Sequence, residues 1–221
     1  MTSATVLAME QSERDRFLAA ARIAGDLALQ PEVSTRWNSE SACAGMTVGG
    51  LAHHLVSQVD NAVRLLGAGV SDEPPIALTE HYARAAWVRG GPDDQANVGI
   101  REGSDAQAAG GPDALPPLVT NLLEQLPGVL ASASNNDPVL IPWQGWSLTV
   151  RDFLVIRMME IVVHSDDLAA SVDLATPEFP DDVVAPVLDL LTTLSLGRHG
   201  QTAVLRALSR PQRAPDSVSA F

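Results

Sequence analysis

The chain has one cysteine, Cys43, in 221 residues. An intrachain disulfide is therefore excluded, as is a zinc site built from a cysteine cluster, so any metal here must be held by histidine and carboxylate. Basic residues are also scarce: 14 Lys and Arg against 27 Asp and Glu give a formal net charge of −13. A general nucleic-acid binder would show a basic footprint, which this balance excludes, although a local basic pocket for a small anion is compatible with it. Residues Met1 to Met9 hold no basic segment followed by a sufficient apolar stretch, and no apolar run reaches membrane-spanning length. The expectation is a cytoplasmic protein with no signal peptide and no membrane partner. Strand signal is weak, with the best short pieces near Val139–Ile141 and at the C-terminus, and there is no internal repeat or low-complexity tract. What the chain does have is apolar content, 46% of residues with a mean hydropathy of +0.08. That is enough for one folded domain with a core, or a domain with an appendage.

One absence is local. No glycine or proline occurs between Thr149 and Leu174, and this apolar run reads as a helix capped by Thr149 with Asp152 three residues on. Within it Glu160 and His164 are four apart, one turn above the other on one face. Their neighbours Leu154, Met158, Met159, Ile161, Val162, Val163 and Leu168 make the helix apolar nearly all round, which is the pattern of a buried helix. A buried carboxylate is costly unless it is paired or bound to a metal. Arg157, three residues before Glu160, is one candidate partner, either as an ion pair or as a support behind a metal ligand. Asp167, three residues after His164, is either an acceptor that orients the imidazole or a surface acid.

The other helices follow from stop and start signals. Ser12-Glu13-Arg14-Asp15 reads as a capping box for a first helix running to Gln30, stopped by Pro31, with Phe17, Ala20, Ala21, Ala24, Leu27 and Ala28 inward. A loop with Trp37 follows. Thr47 caps a second helix, Val48–Leu66, with the stripe Val48, Leu51, Ala52, Leu55, Val59, Ala62 and Leu66, ending at Gly67-Ala68-Gly69. Gly67 to Pro112, rich in Gly, Pro, Asp and Ala, reads as a long crossover with one short helix around Thr79–Val88 carrying His81, Tyr82 and Trp87. A third main helix spans about Asp113 to Ser132, with Leu118, Leu122, Leu126 and Val129 inward and Pro127 as a kink point. Beyond a boundary at Thr176–Pro180, a helix from Val183 to about Leu196 has Val184, Val187, Leu188, Leu191 and Leu194 as its apolar set, and a short helix covers Thr202–Leu208. The architecture expected is all-α: a four-helix bundle from the helices near 12–30, 48–66, 113–132 and 149–173. Residues 10–174 are assigned to the bundle and 175–221 to a small helical extension packed on it.

The second helix offers two adjacent histidines. His53 is in line with Gly50, Ser57, Asp60 and Arg64, read as a polar stripe facing water. His54 borders the apolar stripe beside Leu51, Leu55 and Gln58, and so points toward the bundle. His54 with Glu160 and His164 makes a three-ligand set of nitrogen and oxygen donors, suited to zinc, with nickel or ferrous iron as alternatives, and with an open fourth position.

These residues carry a resemblance. Trp37 with Met46-Thr-Val-Gly-Gly-Leu-Ala-His-His-Leu55 resembles the first signature of the DinB-like, mycothiol-dependent maleylpyruvate isomerase superfamily. Arg157-x-x-Glu160-x-x-x-His164-x-x-Asp167-Leu168 resembles its second. The likeness spans roughly Trp37 to Leu174, and the Arg198–Phe221 tail resembles tails of actinobacterial members. It implies a DinB-like four-helix bundle binding zinc through His54, Glu160 and His164. It also implies mycothiol as the thiol cosubstrate, and isomerisation or S-transfer on a small electrophile. Two departures stand out: Gly50 occupies a usually acidic position, leaving the second helix's capping box incomplete, and the tail is short for a full C-terminal substrate domain. The reading from another class is a metal-binding bundle that serves as a scaffold or regulator without catalysis. In either case the bundle's helix faces allow a homodimer.

Other residues keep two readings each. Trp143 and Trp146 are a pocket wall or core. Arg198, Arg206, Arg210 and Arg213 are a clamp for a substrate carboxylate or surface charges. Cys43 reads as a buried structural thiol, and His81, Tyr82 and Trp87 carry no assignable role.

Overall fold

The computed structural model describes residues 3–91 and 93–221, with side chains from residue 12 onward. Met1 and Thr2, the start of the Met1–Met9 stretch read above as lacking a leader, lie outside the described residues. In chain order the helices are α1 (Ser3–Ala28), α2 (Pro31–Thr35), α3 (Val48–Gly67), α4 (Leu78–Arg84), α5 (Ala86–Arg89), α6 (Gln95–Ala108) and α7 (Leu115–Ser132). A hairpin of β1 (Pro138–Ile141) and β2 (Trp146–Thr149) follows, then α8 (Val150–Ser171), α9 (Asp181–His199) and α10 (Gln201–Ser209). The fold is all-α, with α1, α3, α7 and α8 as the bundle and α3 at its centre, packed on α8, α7 and α6. No helix among the described residues is long and apolar enough to cross a membrane.

The two helices that carry the site start at the expected threonines. The Thr47 side chain accepts from the Gly50 backbone N–H, and the Thr149 side chain from that of Asp152. Each satisfies one of the donors a helix start leaves unpaired. The predicted stripes of the first two main helices are buried as read, Phe17 to Ala28 and Val48 to Leu66.

Five expectations need correction. Helix α1 begins at Ser3, so Ser12 lies inside it and caps nothing; the capping-box pattern also occurs by chance on exposed helical turns. The crossover is not mainly irregular, since the 14-residue α6 packs along α3. Its glycines, Gly99 and Gly103, hid it from a propensity reading, and tertiary packing overrides propensity. On α9 the buried apolar residues are Val183, Val187 and Leu190, whereas Leu188 is 55% exposed. That helix is apolar around most of its circumference, so spacing alone does not select the face. On α7 the inward set is Leu115, Val119, Leu122, Leu126 and Leu130, with Leu118 and Val129 only half-buried. Among the described residues no strand forms at the C-terminus; the strand at Val139–Ile141 does form, paired antiparallel from Pro138↔Thr149 to Ile141↔Trp146.

Docking of α6 repairs the gap noted at Gly50. Asp105, on α6, accepts from the Thr47 backbone N–H at 3.0 Å and from its hydroxyl at 2.6 Å. A carboxylate from another helix thus makes the return contact that a capping box takes from its own third residue. A Cβ at residue 50 would lie 2.1 Å from the Asp105 Oδ1, so glycine there and the acid across from it belong together. Trp37 completes the joint. Its indole N–H donates to the Ala108 carbonyl at the end of α6 (3.0 Å), and its ring lies where a Cβ on Gly49 would stand, at 2.5 Å.

Candidate metal centre

Helix α3 supplies His54 and helix α8 supplies Glu160 and His164, and the packing of α3 on α8 brings the three together. Both imidazoles turn their Nε2 atoms toward the same carboxylate oxygen: His164 Nε2 lies 3.2 Å and His54 Nε2 3.8 Å from Glu160 Oε2. The rings stand edge to face with centroids 4.7 Å apart. Each Nδ1 has a partner on the outside, His164 with Asp167 Oδ2 at 2.9 Å and His54 with Ser104 Oγ at 3.4 Å. Outer partners on one ring nitrogen, with the other nitrogens converging, are the arrangement that holds imidazoles for a metal. The donor set of two nitrogens and one oxygen fits zinc with a fourth position open.

Charge is concentrated here. Burial pushes the Glu160 carboxyl upward, but the close imidazoles of His164 and His54, with the charges of His164 and Arg157, hold it well below the usual carboxylate range. For His164 burial acts downward; the contacts with Asp167, Cys43 and Glu160 outweigh it and hold the imidazole well above its ordinary value. Asp167 is depressed: burial opposes, and His164 and then Cys43 prevail. Two half-buried carboxylates around one imidazole make a pole that attracts a cation.

His53 corrects the stripe reading. It points away from the centre, as expected, but not into water: it is 7% exposed, edge-on to Trp37 with ring centroids 5.8 Å apart. Burial lowers its proton affinity, and among the described residues its Nε2 has no hydrogen-bond partner. Helical spacing could not show the Trp37 loop folding over that face. Arg157 does not pair with Glu160 among the described residues. It donates to Gln58 Oε1 at 2.7 Å, and the Gln58 amide donates in turn to the His54 carbonyl at 2.9 Å. The guanidinium thus braces the turn of α3 that carries His54 and acts on Glu160 through its charge alone.

A cavity of about 830 Å³ opens onto the centre, lined by His54, Glu160 and His164 together with Arg157, His81, Trp87 and Trp143. Here sequence reasoning missed the most. Cys43 is half-buried at the cavity, with its thiol 3.4 Å from Asp167 Oδ2 and 4.0 Å from His164 Nδ1. Cys43, His164 and Asp167 form a second group able to hold a metal. The direct hydrogen bond between His164 and Asp167 instead makes that carboxylate the support of the imidazole. Trp143 is a pocket wall, 52% exposed, and Trp146 donates its indole N–H to His81 Nδ1 at 3.0 Å. Ser104 and His81 carried no spacing signal, because each reaches the site from a different element, whereas Gln58 was placed beside His54 by spacing but given no role. Arg198, Arg206, Arg210 and Arg213 are exposed and line none of it.

Neither a curated protein nor a solved structure matches the chain. One protein family does: the family described as the mycothiol maleylpyruvate isomerase N-terminal domain matches residues 17–169. That span holds α3, α6, α7, all but the last turn of α8 and every residue of the centre described above, and covers most of the chain. The chain therefore belongs to the mycothiol maleylpyruvate isomerase N-terminal domain family, within the DinB-like superfamily.

Proposed function

We propose that the protein is a zinc-dependent enzyme that uses a low-molecular-weight thiol, mycothiol, to isomerise a small electrophile or to transfer sulfur onto it. Membership of the family supports a catalytic role. The observation that carries the reading is the convergence of His54 Nε2, His164 Nε2 and Glu160 Oε2 at the wall of a cavity of about 830 Å³. A structural metal site is closed on all sides, whereas this one has room beside it. When bound, the metal supplies stabilisation of a thiol in its thiolate, nucleophilic form. The chain's own residues do the rest. His54, Glu160 and His164 fix the direction of the open position, and Asp167 keeps the His164 proton on Nδ1. Arg157, His81, Trp87 and Trp143 line the cavity beside that position. Nickel or ferrous iron satisfies the same donors.

The division into a bundle at 10–174 and an extension at 175–221 belongs to the same proposal, as do cytoplasmic location, absence of a nucleic-acid partner and a homodimer, which sizing in solution decides. Metal analysis of the purified protein, with assays of mycothiol against maleylpyruvate, an epoxide and a haloarene, tests the function. Turnover that needs both thiol and metal and is lost in Glu160→Gln is the expected result. No thiol-dependent turnover across the panel would leave the chain a metal-binding scaffold or regulator.

A further inference from the structure

His81 is buried at 3% exposure, lines the cavity, and belongs to neither sequence signature. Its protonation is set by its neighbour. The Trp146 indole is a donor only, so the 3.0 Å contact with His81 Nδ1 makes that nitrogen an acceptor without a proton. A neutral imidazole then carries its hydrogen on Nε2. Burial, with the nearby Arg157 charge in support and Glu160 opposed, lowers its proton affinity to a pKa of about 4, so the ring is neutral at physiological pH. Among the described residues Nε2 has no hydrogen-bond partner. Arg157, on the same cavity, has a carboxylate partner nowhere among the described residues and donates only to Gln58. The lining also holds acceptors, Gln58 and Glu160, but the His81 Nε2–H is paired with neither of them. A polar group held in a fixed orientation at a cavity wall is available to orient a bound ligand.

We propose that His81 is a catalytic residue that donates its Nε2–H to the carbonyl or carboxylate oxygen of an unsaturated carbonyl substrate, with the Arg157 guanidinium as the positive charge beside that oxygen. The proposal rests on the thiol-addition reading above and names the group that meets the other end of the electrophile. When a thiolate adds to a conjugated double bond, a carbon–sulfur bond forms and the π pair shifts to the carbonyl oxygen, which takes the negative charge. Expulsion of the same thiolate returns the pair and restores the double bond, with no oxidant or reductant consumed. A donor already in place where that charge develops stabilises the transition state without reorganising. A neutral imidazole held in one tautomer can do so as a donor rather than as an acid.

The test uses metal-loaded protein with maleate, a small unsaturated dicarboxylate, as the probe. Wild type is compared with His81→Phe, which removes the donor, and His81→Gln, whose amide can accept from Trp146 and still donate. Nitrogen-15 NMR of the wild-type imidazole should show the Nε2–H tautomer, with the Nε2 signal moving on addition of maleate. By calorimetry His81→Phe should weaken maleate roughly tenfold or more, as for loss of one good hydrogen bond, while His81→Gln stays within about threefold. In thiol-dependent turnover of the electrophile, His81→Phe should lower kcat with metal content unchanged. The Nδ1–H tautomer, no maleate response in the wild type, or equal maleate affinity in all three proteins overturns the proposal. If no electrophile is turned over by the wild type while maleate binding still depends on His81, the enzymatic reading fails and the donor site stands. If turnover is present and His81→Phe leaves it and maleate affinity unchanged, the reverse holds.

Discussion

His53 and His54 are about 100° apart around α3, from 3.6 residues per turn, and the structure gives each a separate task. His54 faces Glu160 and His164; His53 packs under Trp37. Replacing His54 by Ala, or Glu160 by Gln, is expected to cut metal affinity by more than the roughly 10–100-fold that follows loss of an outer partner. His53→Ala should keep its metal but lose about 1–3 kcal/mol of stability, because it empties a packed site. Metal content and denaturant unfolding of the three variants separate the two roles; loss of metal in His53→Ala with retention in His54→Ala would reverse the assignment. His81 gives a pH prediction. Its pKa in the folded protein, about 4, lies below the ordinary 6.5, so the unfolded chain takes up a proton first as pH falls. The stability it contributes is present above about pH 6.5 and is lost as pH falls towards about 4. Melting temperatures between those limits should therefore fall more steeply for the wild type than for His81→Gln. Equal slopes would count against the buried neutral imidazole.

At the scale of elements, the joint between α3 and α6 is decisive, because α6 carries Ser104, which meets the outer nitrogen of His54. Asp105 holds that joint through both donors of Thr47, and only glycine at position 50 leaves room for it. Asp105→Ala should cost about 0.5–2 kcal/mol, the range for a lost helix cap. It should also raise hydrogen exchange in α6 more than in α7. Gly50→Glu restores the capping acid locally but drives a side chain into the Asp105 carboxylate. It should destabilise the wild-type background, and do so less in the Asp105→Ala background, where the space is free. Additive effects of the two changes would contradict the shared site.

Across the whole molecule the cavity is lined by parts far apart in sequence: the bundle, the crossover helices and the hairpin with its loop. The C-terminal segment reaches that lining. Ser195 donates to the Val218 carbonyl, His199 Nε2 contacts the Ser219 carbonyl at 2.8 Å, and Phe221 packs on Trp87 and Tyr82 with ring centroids 5.0 and 5.9 Å away. Phe221→Ala should speed hydrogen exchange in residues 78–89 and leave metal content unchanged, because α3 and α8 do not depend on that contact. Unaltered exchange there would mean that the tail only rests on the surface.

Much of this was local and therefore readable in the sequence. The caps at Thr47 and Thr149, the stripes of the first two main helices, the strand at Val139–Ile141 and the choice of His54 over His53 all follow from spacing and side-chain chemistry within one turn or one strand. The i, i+4 pairing of Glu160 with His164, and Asp167 beneath the imidazole, are likewise properties of a single helix. Tertiary structure decided whatever required two segments to meet. It folded Trp37 over His53, brought a capping acid to Gly50 from α6, gave Arg157 to Gln58 rather than Glu160, and chose the inward face of α9. It placed Cys43 and His81 on the cavity, where no periodicity points. A helix that is apolar all round or rich in glycine carries no preferred face in its own sequence, so its orientation is set by the neighbours it buries against.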